Sequence, residues 1–368
     1  MIPVAEPLIT ARDKELVNAA LDSGWISSAG EFLDRFEQQW AGCCDMPFGI
    51  AVSNGSTALD IAVELLELQP GDEVIMPTFT IISPALSIVR AGGTPVLVDS
   101  DPHNWQMDIS QIETRITPRT RAILVVHIYG HPADMDPILE IAGRHNLTVI
   151  EDAAEAHGAE YKGRRCGGLA DISTFSFYAN KLITTGEGGM VLVRDKHLAE
   201  KARSLRNLCF QSKQRFLHEE LGYNCRLTNL QAALGVAQLE RFAEIVGRKR
   251  SIALAYNELL GGVPGIELPV EEQWAKSVYW VYGIVIGKDR GLTAAILAGR
   301  LKEKGIESRP FFLGMHRQPA LLDRGLFSGA CYPVADNLSQ QGLYIPSSLT
   351  LSDRQIREVA TAVKECLT

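Results

Sequence analysis

Seven short, strongly apolar runs do most to limit the folds open to this chain. They are FGIAVSN, DEVIMP, TPVLVDSD, RAILVVHIYG, LTVIEDAA, ISTFSFYA and GMVLVRD. Several of the gaps between them carry helical spacing. In GSTALDIAVELLEL, for example, Leu59, Ala62, Val63 and Leu66 fall on one face. SPALSIVRAG, DMDPILEIAGRHN and KHLAEKARSLRN read as helices too. Strands this apolar must be buried on both sides, and helices between them supply the cover. The expected class is therefore α/β, with a mainly parallel seven-stranded sheet flanked by helices.

Near Glu240 the texture changes. TNLQAALGVAQLERFAEIVGRKRSIALAYNELL reads as helices long enough to link two lobes. VYWVYGIVI follows as a strand, GLTAAILAGRLKEKG as a helix, IESRPFF as a short strand and LSDRQIREVATAVKECL as a closing helix. With 368 residues the chain is too long for one small core. The expected division is a large domain over residues 1–245 and a smaller C-terminal α+β domain over 246–368.

Composition excludes several classes. Net charge is −8 with no basic block, which argues against a nucleic-acid or anionic-membrane surface. No apolar run reaches the ~18 residues of a membrane span, and MIPVAEPLITARDKELV lacks the basic and apolar segments of a signal peptide. Seven cysteines, scattered apart from Cys43-Cys44 and without a CxxC, indicate neither a disulfide framework nor a zinc site. They fit a reducing, cytoplasmic setting. His218 in HEE lacks a second histidine, and HIYGHP holds His127 and His131 at a strand end where they cannot share a helix face.

In open α/β sheets, ligands gather beyond the carboxyl ends of strands. Three features sit at such ends. SNGST, with Ser56 and Thr57, follows a strand and opens a helix, so its amides and hydroxyls can hold a phosphate or merely cap the helix. Asp152 in EDAAEAHG stands at the tip of a buried strand, either with a cationic partner or capping the next turn. Ser176 and Lys181 in SFYANK precede a glycine-rich turn, where Lys181 is either a solvated surface amine or a Schiff-base lysine. A phosphate cradle, a buried carboxylate and a lone lysine are together the parts that hold pyridoxal 5′-phosphate.

The motifs then become familiar. LDSGWISSAG, VSNGSTALDIA, PGDEVIMPTFT, VHIYGHPADMD, VIEDAAEAHGAEYKG, FSFYANKLITTGEGGMV, GYNCRLTNLQAALGVAQLE, SVYW and RPFF occur in order along nearly the whole chain. The sequence resembles the DegT/DnrJ/EryC1/StrS family of nucleotide-sugar aminotransferases, which are fold-type-I pyridoxal-phosphate enzymes. ITTGEGGM and GHPADMD resemble most the branch acting on a GDP-linked 4-keto-6-deoxy sugar.

The resemblance implies a role for each matching residue. Lys181 would carry the cofactor and move a proton between it and the substrate carbon. Asp152 would pair with the pyridine nitrogen, and Glu155 would sit beside the ring hydroxyl. Ser56, Thr57 and Ser176 would bind the phosphate. Asn224 would reach the phosphate of a neighbouring subunit, making a homodimer with shared sites, although an asparagine after Gly222 is also an ordinary turn residue. Ile81 stands where relatives often carry an aromatic over the pyridine face, leaving apolar cover without stacking. Trp25 in SGWISS and His316 in RPFFLGMH are candidates for the walls of the substrate pocket, against a core tryptophan and a loop histidine. A sister branch has histidine at the lysine position and dehydrates its sugar, so Lys181 implies transamination. The implied substrates are L-glutamate and a nucleotide sugar, namely GDP-4-keto-6-deoxymannose or a UDP- or dTDP-linked ketone. The rival classes are a non-catalytic protein of the same fold and a binding module for a phosphorylated ligand.

Overall fold

The computed structural model describes residues 1–211, 214–288 and 291–367. Two helices lead in, α1 (Ala11–Asp22) and α2 (Glu31–Cys43). Alternation follows: β1 (Phe48–Val52), α3 (Gly55–Glu64), β2 (Glu73–Pro77), α4 (Ser83–Arg90), β3 (Thr94–Val98), β4 (Thr120–Val126), α5 (Met135–His145) and β5 (Thr148–Asp152). The strands β6 (Glu160–Tyr161) and β7 (Arg164–Arg165) form a small hairpin. Then come β8 (Ile172–Ser176), β9 (Gly189–Val193), α6 (Lys196–Arg206), α7 (Asn229–Leu239) and the long α8 (Phe242–Leu260).

The main sheet has seven strands in the order β1-β9-β8-β5-β4-β2-β3. The pairs β8·β5, β5·β4, β4·β2 and β2·β3 are parallel. Only β9 runs the other way, antiparallel to both neighbours. All seven expected strands are present. The segment from 177 to 188 holds no helix, so it returns directly to an antiparallel neighbour; a parallel return needs a longer crossover. The carboxyl ends of β1, β8, β5 and β4 consequently lie along one edge, and that edge carries Asn54, Ser176, Asp152 and Val126.

The rest of the chain supplies β10 (Ile266–Glu267), β11 (Ala275–Lys276), β12 (Tyr282–Ile286), α9 (Ala294–Glu303), β13 (Arg309–Pro310), α10 (Pro319–Leu322), α11 (Pro333–Gln341), β14 (Gly342–Ile345) and α12 (Asp353–Cys366). A four-stranded sheet, β10-β12-β14-β13, is the centre of this smaller unit. VYWVYGIVI is a strand only from Tyr282; Val278 and Trp280 before it turn into the large unit's core.

Buried side chains form two clusters. The larger surrounds the main sheet and includes Ile50, Val74, Leu124, Ile150, Phe175 and Val191, all 0% exposed. The smaller gathers Ile252, Tyr256, Tyr282, Leu297, Leu343, Val359 and also Ile2. Each such side chain contributes about 1.5–3 kcal/mol of burial. The α8 helix belongs to both: Phe242 and Ile245 pack in the first cluster, Ile252 and Leu260 in the second. We place the division between the units inside this helix.

His127 and His131 do not converge. His131 uses Nδ1 on the Pro132 carbonyl (2.7 Å) and Nε2 as acceptor for the Glu272 amide (3.1 Å). His127 lies near Glu151 and Cys166, with potential ligand atoms all within 4.8 Å. Its Nδ1 accepts the Ala133 N–H (3.0 Å), so Nε2 carries the proton and donates to Glu151 (2.9 Å). Glu151 also accepts the amides of Gly167, Leu169 and Ala170. These groups are engaged in pinning the turn after β7 to the sheet.

Candidate active site

A cavity of about 590 Å³ opens at the carboxyl edge of the main sheet, within the usual range for small-molecule sites. One end is the N-terminus of α3. Asn54 caps that helix by accepting the Thr57 amide (2.9 Å), and Thr57 Oγ1 accepts the Asn54 amide in return (3.2 Å). The Gly55 and Ser56 amides, in the first turn, have no intrahelical acceptor and border the cavity. Glycine is required at 55, because a Cβ there would sit 2.5 Å from the Ser176 Cβ. Gly189 is pressed equally hard: its Cβ would fall 2.3 Å from the Asn54 carbonyl oxygen. The tip of β8 and the start of α3 thus close into one oxygen- and amide-lined cradle. Ser56 completes it, with its hydroxyl 2.8 Å from that of Ser83.

Deeper in, Asp152 is 2% exposed. Its Oδ1 receives only the Ala154 amide (3.1 Å) and a long contact from Thr174 (3.5 Å). No lysine or arginine pairs with it among the described residues. Burial pushes its carboxyl up, opposed by the Ala154 N–H and by the charge of Lys181. Glu155 accepts the Tyr129 amide (2.6 Å); burial raises it to about 7, with Lys181 pulling it back. Lys181 is lowered from the usual lysine value by burial, while Glu155 and Asp152 act in the opposite sense. One amine therefore stands against two carboxylates in a poorly solvated space.

Lys181 projects from the turn after β8, and its Nζ lies 3.5 Å from the centroid of the Trp280 ring. Trp280 Nε1 donates to the Asn180 carbonyl (2.9 Å), which fixes the indole beside the lysine. Ile81, Val126, Ala154, Phe312 and Tyr344 supply apolar walls.

Ser56, Ile81, Asp152, Glu155, Ser176 and Lys181 all border this cavity. Thr57 does not. Its hydroxyl is held by the helix cap, also donating to the Asn54 carbonyl (2.8 Å), so it shapes the cradle from behind. His316 is displaced from the expected substrate wall: it is 2% exposed, with Nδ1 on Thr78 (2.9 Å) and Nε2 on Asp336 (3.0 Å). Trp25 is neither in the core nor at the cavity; it is 62% exposed. Asn224 is also exposed and outside the cavity of its own chain, bridged to Asn207. Trp280, Tyr344 and Phe312 line the site although sequence reasoning gave them no role; all three come from the smaller unit or its approaches.

The donor set fits pyridoxal 5′-phosphate. Asp152 is a buried carboxylate lacking a cation, the cradle is one that a Cβ at position 55 would fill, and a lowered amine stands between them.

The sequence profile of the DegT/DnrJ/EryC1/StrS aminotransferase family matches residues 7–364. The chain is 40% identical to a GDP-perosamine synthase of Escherichia coli O157:H7, covering 99% of this chain and 98% of that one. It is 41% identical to a GDP-perosamine synthase of Caulobacter vibrioides, over 100% and 98% of the two. Among solved structures, Streptomyces venezuelae DesV in complex with a ketimine intermediate superposes with a TM-score of 0.90 at 36% identity, over 97% and 94% of the chains. With a lysine, buried carboxylates and a cradle of amides and hydroxyls on one edge of its sheet, the chain belongs to the DegT/DnrJ/EryC1/StrS aminotransferase family.

Proposed function

We propose that this enzyme transfers an amino group from L-glutamate to the C4 ketone of GDP-4-keto-6-deoxy-D-mannose, giving GDP-perosamine and 2-oxoglutarate. The observation that carries the chemistry is the Lys181–Asp152–Glu155 constellation at the sheet edge. Three GDP-perosamine synthases 36–41% identical over almost the full length support the substrate. A dTDP-3-amino-3,4,6-trideoxy-alpha-D-glucose transaminase of Streptomyces venezuelae, 37% identical, makes a dTDP-linked ketone the second reading.

Bound pyridoxal phosphate supplies an aldehyde to take up nitrogen and a ring that accepts electron density. The protein does the rest. The Gly55 and Ser56 amides, with the Ser56 and Ser176 hydroxyls, hold the phosphate at a positive helix end. Asp152 would keep the ring nitrogen protonated, Glu155 would partner the ring hydroxyl, and Ile81 would give the ring apolar cover. Lys181 Nζ would remove and return the proton at the substrate carbon that loses or gains nitrogen. Burial lowers its proton affinity, which favours the free amine, while Glu155 and Asp152 act against this. Trp280, Phe312 and Tyr344 exclude water from this transfer.

We read the active unit as a homodimer. In support, Asn224 is exposed away from its own cavity, and Trp25, Ile26, Tyr178 and Tyr223 are large side chains left exposed on the protomer. No helix among the described residues is long and apolar enough to cross a membrane. Seven free thiols, together with these substrates, support a cytoplasmic setting.

The test is a side-by-side assay of GDP-, UDP- and dTDP-linked keto sugars with glutamate as donor. We expect kcat/KM for the GDP sugar to exceed the others by at least about tenfold, or about 1.4 kcal/mol of transition-state binding. A UDP- or dTDP-linked ketone used at least ten times better would overturn the GDP assignment.

A further inference from the structure

Behind Lys181 lies a second, much smaller space of about 40 Å³. Asn180, Lys181, Trp280 and Tyr344 border both this recess and the main cavity. Its far wall is formed by Lys249 of α8, by Ser347 and Ser348 after β14, and by the chain's first residues, Val4 to Leu8. A water molecule needs roughly 10–15 Å³ measured in this way. The recess therefore suits a group of about three heavy atoms and rejects a sugar or a base.

Lys249 is the unusual feature. It is 7% exposed, and its ammonium donates only to neutral oxygens, the Ser347 carbonyl and the Ser347 hydroxyl (3.0 Å). No carboxylate lies within ion-pair distance of it among the described residues. Glu6 borders the recess, but its carboxylate accepts from Thr350 (2.9 Å) and makes no pair with the lysine. Burial alone pulls Lys249 down to about 7, with no nearby charge acting on it. A buried cation without a counter-charge is costly. A second polar group is left open in the same wall: Asn180 Oδ1 is buried without a hydrogen-bond partner. A half-turn of that amide would present its two N–H donors instead.

The main cavity lacks what these groups offer. Its lining includes three carboxylates, Asp152, Glu155 and Glu187, and one cation, Lys181, which the chemistry already uses. An amino-acid donor brings carboxylates that need cationic or N–H partners. We propose that Lys249, with Asn180 and Ser347, is the anchor for a carboxylate of the amino donor, and that this recess is where the chain recognises amino acids and 2-oxo acids. The anchor rests on the aminotransfer reading. It assigns donor and acceptor selection to different walls of the site: the acid is held from the smaller unit, leaving the wider cavity to the nucleotide sugar. Both substrates can then share one cofactor in turn.

The test uses glutarate, an unreactive dicarboxylate, titrated into wild-type and variant protein by calorimetry, alongside steady-state kinetics. Lys249→Met keeps the stem and removes an uncompensated charge, so the fold is expected to persist; a thermal melt checks this, and Lys249→Gln serves if it does not. We expect Lys249→Met to weaken glutarate at least tenfold and raise KM for glutamate at least tenfold. KM for the nucleotide sugar should stay within about twofold, a split that a purely structural lysine would not give. Lys249→Arg should recover part of the loss. Unchanged glutarate affinity and unchanged KM for glutamate in folded Lys249→Met would overturn the anchor while leaving aminotransfer intact. Lys249-dependent glutarate binding without amino transfer from glutamate would sustain the carboxylate anchor and remove glutamate as the donor.

Discussion

Asp152 illustrates how one position can work against the fold and for the reaction. Its carboxylate is buried and lacks a cation, so the protein without cofactor carries a desolvation cost there. A protonated ring nitrogen would offset that cost. Asp152→Asn should therefore leave the melting temperature of cofactor-free protein unchanged or higher. Turnover should fall about 10²–10³-fold, the usual range for removing one electrostatic partner of a transition state. A melt paired with a turnover assay checks both, and near-wild-type turnover would refute the pairing. The residues legible in the sequence share a property: Ser56, Asp152, Ser176 and Lys181 each follow the end of an apolar run. Thr57 shows the limit of that reading. Two adjacent hydroxyls point about 100° apart on a helix, and only Ser56 faces the cavity. Trp280, Tyr344 and Lys249 carry no local signal, because tertiary folding alone brings them beside a lysine 68 to 163 residues away. His316, weighed between a pocket wall and a loop histidine, shows the same limit: Thr78 and Asp336 hold both of its nitrogens, and neither partner is its neighbour in sequence.

At the scale of elements, the N-terminus of α3 has two duties that one substitution can separate. Asn54 caps the helix and borders the cavity. Aspartate caps about as well and suits the helix dipole, but places a negative charge beside the proposed phosphate site. Asn54→Asp should keep the melting temperature of the cofactor-free protein while weakening pyridoxal-phosphate binding at least tenfold. Asn54→Ala should lose about 1 kcal/mol of stability instead. Equilibrium titration with the cofactor and thermal melts of both variants separate the two roles; equal cofactor affinity in Asn54→Asp and wild type would remove the cradle assignment. Strands were the most legible elements, since a run such as AILVV can be buried in few ways. Strand direction was not legible, because apolar patterning has no polarity; β9 reverses because the segment before it holds the Lys181 turn and no helix. HIYG, expected as a strand end, forms a short 3-10 turn with Tyr129 at φ 56°. That turn aims the Tyr129 amide at Glu155. The strand β14 carries little sequence signal because GLYI is only four residues long.

At the scale of the molecule, the shared-site reading makes a prediction that no single-chain variant could. Lys181→Ala and Asn224→Ala should each be inactive or nearly so. Co-refolded, they should form hybrids in which one site has its own Lys181 and the partner's intact Asn224. At random mixing about a quarter of wild-type activity should return. Activity assays on affinity-tagged, purified hybrids check this, and inactive hybrids would rule out a site shared through Asn224. The two units are also tied from the chain's beginning. Ile2 pairs with Ile306, the Val4 amide donates to Glu307 (3.0 Å), the Ser347 amide reaches the Val4 carbonyl (3.2 Å), and Gln238 donates to the Leu8 carbonyl (3.3 Å). These contacts join residues 230 to 343 positions apart in the sequence. At cellular rates of synthesis the interval between them is on the order of tens of seconds. The strap that walls the recess behind Lys181 therefore closes only after Ser347 has emerged, so a nascent chain can complete its main sheet, whose last strand ends at Val193, long before it can seal its catalytic pocket.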